Sequence, residues 1–267
     1  MRRPFLLFLA LTFSLLLSPF SLAADLEREK RIAENIKNSI IIGEVVTLKA
    51  GGTEFLALID NEEPEIIHGS VIILHGMGSN PNAPHVIHPL RSQLADLGWV
   101  TAAIQLPLAS KNSSIEENLA LIKESAPRIQ AALSYMQENY KNRPCVIVAH
   151  SLGAMMATSF IAEQKQLTCD ALVLIGLPSL PSDLPEANSI ELLKSITIPI
   201  LDIYGSQDLA SVTTPAPIRK SALMKNNPLN RQTVISGANH AFSGLEETLS
   251  RSIHSWLTYR FKPTNNQ

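Results

Sequence analysis

The stretch Cys145-Val146-Ile147-Val148-Ala149-His150-Ser151-Leu152-Gly153 decides the fold. Its first five residues are apolar without a break, the pattern of a strand covered on both faces. Ser151 follows after His150, and Leu152 to Glu163 then reads as a helix. A serine at so sharp a strand-to-helix turn has a strained backbone and presents its hydroxyl outward, and only small residues fit two places to either side. Ala149 and Gly153 meet that need; Ala149 stands where glycine is more usual, a difference of one methyl group. The helix start also brings free backbone N–H groups and a positive dipole end to the serine. Ser151 is thus a candidate nucleophile, and a buried serine in a tight helix contact is the plainer alternative.

Outward from this turn the chain alternates strand and helix. Ile40 to Leu48, a Gly51-Gly52 turn and Thr53 to Ile59 read as a hairpin. Further strands are expected at Ser70 to Leu74, Val100 to Leu106, Ala171 to Ile175, Ile198 to Tyr204 and Gln232 to Ile235. Ile87, Leu90, Leu94 and Leu97 share one helical face, and a second helix is expected to restart at Ser125, with Ile129, Leu133, Met136 and Tyr140 as its buried stripe. Asp25 to Lys37 reads as a solvated helical lead-in, and the last helix carries Phe242, Leu245, Leu249, Ile253 and Trp256. A hairpin followed by strand–helix alternation implies an eight-stranded, mainly parallel sheet with helices on both faces.

A serine hydroxyl needs a general base. Of seven histidines, His68, His75, His85 and His88 precede Ser151, and His150 is the variable residue of the turn itself. His254 lies on the last helix, near Ile253 and Trp256. His240 remains, in the loop Ser236-Gly237-Ala238-Asn239-His240 beyond the last strand. The acid to orient it is Asp208, in the Tyr204-Gly205-Ser206-Gln207-Asp208 segment at the carboxyl end of the preceding strand. Asp202 lies too far back within that strand, whereas Asp183 is a rival for the role. The segment His75-Gly76-Met77-Gly78 ends an earlier strand and turns backbone N–H groups toward the serine, so Met77 and Leu152 are the candidate oxyanion donors.

The loop around His75 to Gly78, the turn around Ser151, the Gly205 to Val212 segment and the Gly237 to Phe242 segment together resemble the α/β-hydrolase superfamily over about Ile40 to Leu257. His85 to Arg91, Gly98-Trp99 and Ile104 to Pro107 resemble an uncharacterised family of exported bacterial α/β-hydrolase-like proteins. The resemblance implies an α/β-hydrolase fold and a triad of Ser151, Asp208 and His240, with no metal or organic cofactor. The likeness to the exported family implies no settled substrate; compact members of the superfamily commonly cleave carboxylic esters or thioesters, so a small acyl-ester substrate is expected. An amide or peptide hydrolase and a non-catalytic envelope binding module are the alternatives. Many members insert a helical cap before the acid strand. The interval Leu177 to Thr197 is too short for a large one, which leaves an open mouth lined by Met77, Leu152, Leu177 and Phe242.

Composition agrees with a globular protein that has a core. Of 267 residues 45% are hydrophobic and 17% charged, and 22 basic against 24 acidic residues give a net charge of -2. No basic surplus exists to neutralise phosphates, so nucleic acid is not an expected partner. The oligomeric state is left open. Arg2 and Arg3, the apolar run Phe5 to Leu17, Pro19 and the small residues Ala23 and Ala24 form the pattern of a signal peptide. The expected organisation is a signal peptide at 1–24, one domain at 25–262 and a disordered tail at 263–267, with no stable membrane span after processing and a periplasmic or secreted location. Export would permit a Cys145–Cys169 disulfide; two buried thiols are the alternative. N-terminal sequencing of protein from its native envelope should find Ala24 or Asp25 first, and an intact Met1 would mean an uncleaved anchor.

Overall fold

The computed structural model describes residues 24–60, 67–141, 143–166 and 169–261; the expected signal peptide, apart from Ala24, and the expected tail lie outside them. In chain order the elements are α1 (Leu26–Ser39), β1 (Glu44–Ala50), β2 (Thr53–Asp60), β3 (Gly69–Leu74), α2 (Ile87–Asp96), β4 (Trp99–Ile104) and α3 (Ile115–Asn139). There follow β5 (Cys145–His150), α4 (Leu152–Glu163), β6 (Ala171–Ile175), α5 (Ser189–Leu193), β7 (Ile200–Gln207), α6 (Ala210–Thr213), α7 (Ala216–Asn226), β8 (Arg231–Asn239) and α8 (Glu246–Arg260). The strands form one sheet in the order β1-β2-β4-β3-β5-β6-β7-β8. β1 pairs β2 and β2 pairs β4 antiparallel, and every other neighbour is parallel. This is the α/β-hydrolase fold. Between β6 and β7 lie only one 3₁₀ turn (Pro185–Ala187) and the five-residue α5, so no large cap is present.

The central strands are buried on both faces because successive side chains point to opposite sides. Ile72, Leu74, Ile147, Ala149, Leu172 and Leu174 pack with α3 and α4. Their alternates Val71, Ile73, Val146, Val148 and Val173 pack with α2 and α8 through Leu90, Leu94, Leu249 and Ile253. This two-sided burial rigidifies the carboxyl edge from which the loops at His75, Ser151 and Asp208 emerge.

Four local expectations are corrected. The last helix starts at Glu246, because Phe242 takes a positive φ that no helix allows, and Phe242 stays in the loop before it. α3 starts at Ile115, ten residues before Ser125, because Ser114 and Glu117 form a reciprocal capping box: Glu117 N–H donates to Ser114 Oγ (3.2 Å) and Ser114 N–H to Glu117 Oε2 (2.7 Å). Ser125 is buried inside the helix and donates to the Ile122 carbonyl. β1 begins at Glu44, after the positive-φ Gly43, and Ile41 before it is exposed. α1 is no mere solvated lead-in. Its Glu29 is buried, accepts from Leu108 N–H (2.9 Å) and pairs with Arg128 of α3 at 2.7 Å. Arg128 also donates to the Gln105 carbonyl, so α1 and α3 grip the loop after β4 from two sides.

Cys145 and Cys169 are buried free thiols. Cys169 donates to the carbonyl of Ala171 two residues on (2.9 Å), which engages its sulfur along its own chain. Burial raises both thiols, Cys145 to about 11.

β7 carries the fully buried Asp202, whose Oδ2 accepts from Arg219 Nε of α7 (3.0 Å) and Gln232 Nε2 of β8 (2.8 Å). Removing one ion of such a pair strands the other in the interior. Asp202→Ala should therefore lower the unfolding free energy by about 3–5 kcal/mol in a urea titration, and replacing both partners by apolar residues should recover most of the loss.

Candidate active site

Ser151 ends the turn after β5 with φ 56° and ψ −121°, a conformation that a side-chain-bearing residue holds only when its surroundings impose it. Two of those surroundings are visible. Ser151 N–H donates to the carbonyl of Ile175 on β6 (2.9 Å). At Gly153, in the first turn of α4, a Cβ would collide with the backbone carbonyls of His75 and Leu74, 2.9 Å away in the case of Leu74. The helix therefore lies directly on β3, and the chain has no room for an ordinary exit from β5. The stretch read from sequence as a strained turn is one.

Asp208 and His240 come to the same edge from β7 and β8. Here the sheet register shifts between Gly205 and Gln207, and a Cβ on Gly205 would run into the Ala238 carbonyl. That close approach brings the two strand ends together. His240 Nδ1 lies 2.6 Å from Asp208 Oδ1, and His240 Nε2 lies 2.9 Å from Ser151 Oγ. Asp208 is ionised and can only accept, so Nδ1 carries the proton and Nε2 is free to take one from the serine. Burial of the Asp208 carboxylate opposes its charge. The hydrogen bond and charge of His240, with the N–H groups of Leu209 (2.7 Å) and Gly205 (3.4 Å), outweigh it and hold the acid below the usual carboxylate range. The loop bearing His240 is pinned by Phe242, which is fully buried. Phe242 and Ser151 are the two non-glycine residues with positive φ among the described residues.

The rival residues lie elsewhere. Asp183 is exposed, and Asp202 is occupied by Arg219 and Gln232. His254 accepts from Trp99 Nε1, His85 lies 3.8 Å from Glu246, and His88 adjoins Arg91. His75 is buried beneath the loop that follows it. The Leu106 N–H can only donate, so His75 Nε2 accepts it (3.0 Å) and Nδ1–H donates to the Gly76 carbonyl (2.9 Å). Gln105 Nε2 adds a second bond to the same ring nitrogen at 3.0 Å. Arg28 of α1 ties this loop to the one after β4 through the carbonyls of Gly78 (3.2 Å) and Ala109 (2.5 Å). The roles of Arg28, Gln105 and Glu29 have no signature in the sequence, since their partners stand 50 to 99 positions away or depend on the fold of the loop after β4.

Met77 is partly exposed at the tip of the loop, and Leu152 opens α4 beside Ser151. Of the four residues expected at the mouth, Met77 is exposed, whereas Leu152, Leu177 and Phe242 are buried and serve the packing of the core. Beside the loop lies a crevice lined by Met77, Leu106, Pro107, Asn118, Leu152 and Met156, too narrow for a water-sized sphere. Among the described residues no cluster of three His, Cys, Asp or Glu could hold a metal ion, and no helix is long and apolar enough to cross a membrane.

The family model described as "Protein of unknown function (DUF3530)" matches residues 7–126 and 110–259. The chain belongs to the DUF3530 family. No curated protein sequence matches it. Solved structures place this DUF3530 member among α/β-hydrolases by fold. The esterase Pf2001 of Pyrococcus furiosus has 17% identity and a TM-score of 0.66, covering 85% of this chain and 95% of its own. Est1E from Butyrivibrio proteoclasticus has 15% identity and a TM-score of 0.63, covering 81% and 98%. The dienelactone hydrolase of Anabaena variabilis has 20% identity and a TM-score of 0.61, covering 81% and 96%. At these identities the likeness is one of fold.

His75 and His150 are each pushed down to about 4, chiefly by burial. Between about pH 4 and 6.5 the unfolded chain binds protons that the folded one refuses, so the stability they contribute is lost as pH falls through that window. The loss is up to about 3 kcal/mol for each. Urea unfolding followed from pH 7 to pH 4 should show uptake of at least two protons per molecule centred in that range.

Proposed function

We propose that this DUF3530 protein is an exported serine hydrolase that cleaves a carboxylic ester or thioester through an acyl-enzyme on Ser151. The observation that carries the reading is the continuous hydrogen-bonded chain from Ser151 Oγ through His240 to Asp208, built on a strained turn. The esterase names of the structural neighbours support the ester class. Export rests on the sequence of residues 1–24.

In this reading Ser151 Oγ attacks the substrate carbonyl carbon while His240 Nε2 takes the hydroxyl proton. The ring becomes an imidazolium whose Nδ1–H stays on Asp208, so the charge forms beside a carboxylate that is already ionised. The N–H groups of Met77 and Leu152 stabilise the developing oxyanion. Collapse breaks the carbonyl bond to the leaving group, which takes the proton from His240. Water then attacks the acyl-serine, giving its proton to His240; the acid departs and Ser151 Oγ recovers the proton.

Only a 3₁₀ turn and the five-residue α5 separate β6 from β7, so the chain offers an acyl group little apolar wall beyond the loop at Met77. Burial contributes about 0.8 kcal/mol per CH₂ only while apolar wall remains to be touched. With no cap to extend that wall, kcat/KM on p-nitrophenyl esters should rise over the first few acyl carbons and then flatten. A steady climb through long chains would point to a lipid tunnel.

Fluorophosphonate labelling should modify Ser151, and a folded wild type that never labels would favour the non-catalytic binding module. Ser151→Ala and His240→Ala should each lower turnover by about 10⁴-fold or more, and together by little beyond either alone, because the pair acts as a unit. Multiplicative losses would mean that His240 is not the base. Asp208→Asn should cost about 10³- to 10⁴-fold in kcat with a smaller change in KM.

A further inference from the structure

His150 stands immediately before the nucleophile, and nothing in the triad uses it. It is the half-buried last residue of β5, and it reaches the His240 segment on one side and the loop at Gly76 on the other. Its Nε2 lies 3.0 Å from the backbone carbonyl of His240. A carbonyl only accepts, so Nε2 carries the proton and Nδ1 does not. The two rings stack, with centroids 4.8 Å apart and planes tilted by 38°. On its other side His150 faces Gly76, where an added Cβ would sit 3.3 Å from Nδ1 and 3.1 Å from Ser151 Cβ. One side chain therefore joins the nucleophile turn, the loop of the base and the loop of the oxyanion donors.

We infer that His150 is a positioning residue for the general base: its Nε2–H bond to the His240 carbonyl sets the angle at which the His240 ring meets Ser151 and Asp208. This inference rests on the proposed hydrolase mechanism for its consequence in rate, but its geometric claim stands by itself. The His240 ring can swing about χ1 and χ2 once its backbone is free, and the loop around it is otherwise held by Asn239 Oδ1, which accepts from Ala241 and Ser243 N–H, and by buried Phe242. These contacts fix the chain after His240. The bond from His150 fixes the carbonyl of His240 itself.

Chemistry explains why a neutral imidazole suits this place. His240 becomes cationic in each half of the cycle, and a charged neighbour stacked at 4.8 Å would oppose that step. Burial keeps His150 neutral, its groups in range being His240, Asp208 and His75. A neutral ring supplies one N–H donor and a flat face without a competing charge. Phenylalanine would supply the face alone, and glutamine a donor at nearly the same reach.

The test compares H150F, H150Q and H150N in the full mature protein. Its activity-independent readout is the far-downfield proton resonance of His240 Nδ1–H on Asp208, assigned by its loss in D208N. In H150F and H150N, which lose the donor or shorten its reach, that resonance should broaden or vanish. Fluorophosphonate labelling and kcat should fall about 10- to 100-fold with KM little changed, the cost of a misplaced base. H150Q should recover most of both. If H150F does not fold, H150N against H150Q makes the same comparison. The inference is overturned if the donor-free variants keep the resonance and stay within twofold of wild-type labelling, or if H150Q fares no better than H150F. A wild type that shows the resonance and never labels would sink the hydrolase reading alone, and the three spectra would still decide what His150 does.

Discussion

At Ser151 the chain passes from β5 into α4 in a single residue, and the backbone is held at φ 56° because nothing around it can yield. The carbonyls of His75 and Leu74 press on Gly153 from one side, and the Ile175 carbonyl takes the Ser151 N–H from the other. β5 is the middle of the parallel array, buried on both faces, so the strain is balanced by packing that the whole sheet supplies. The hydroxyl of Ser151 is aimed by this constraint before any other site residue is considered. The segments following β3, β7 and β8 then need only end near it.

How they do so differs from one to the next. Asp208 and His240 meet because β7 and β8 slip in register where Gly205 lets Ala238 approach. Behind them the buried Asp202–Arg219 pair ties β7 to α7, and Gln232 ties it to β8. The loop after β3 depends instead on hydrogen bonds from a distance. His75 is clamped by Leu106 N–H and Gln105, Gly78 is held by Arg28, and the loop after β4 is in turn gripped by Glu29 and Arg128. The pair of Asp208 and His240 is positioned by strand geometry, and the loop at Met77 by a polar network reaching to α1. A disturbance of α1 should thus reach Met77 before it reaches His240.

Much of this was legible in the residues. The alternation of short apolar strands with helices, the hairpin before them and the short interval between β6 and β7 each reflect local rules of period and length. Ser151 was readable from its small neighbours, and Asp208 and His240 from their places just beyond two late strands. What misled was also local. Ser125 and Pro127 imitate a helix start that the capping box at Ser114 had already provided. The charges of α1 imitate a solvated face, although Glu29 is buried against Arg128.

The sequence by itself determined the order of elements, the two-sided burial of the central strands and the residue types available for chemistry, because each of these depends on neighbours a few positions apart. Tertiary structure alone decided that Leu177 and Phe242 are sealed away and that both cysteines are unbridged. It also decided that His150 donates to the carbonyl of His240 across 90 positions. Such contacts follow from strand register and the close approach of backbones, and no rule of spacing along the chain encodes a distance that exists only once the sheet has formed.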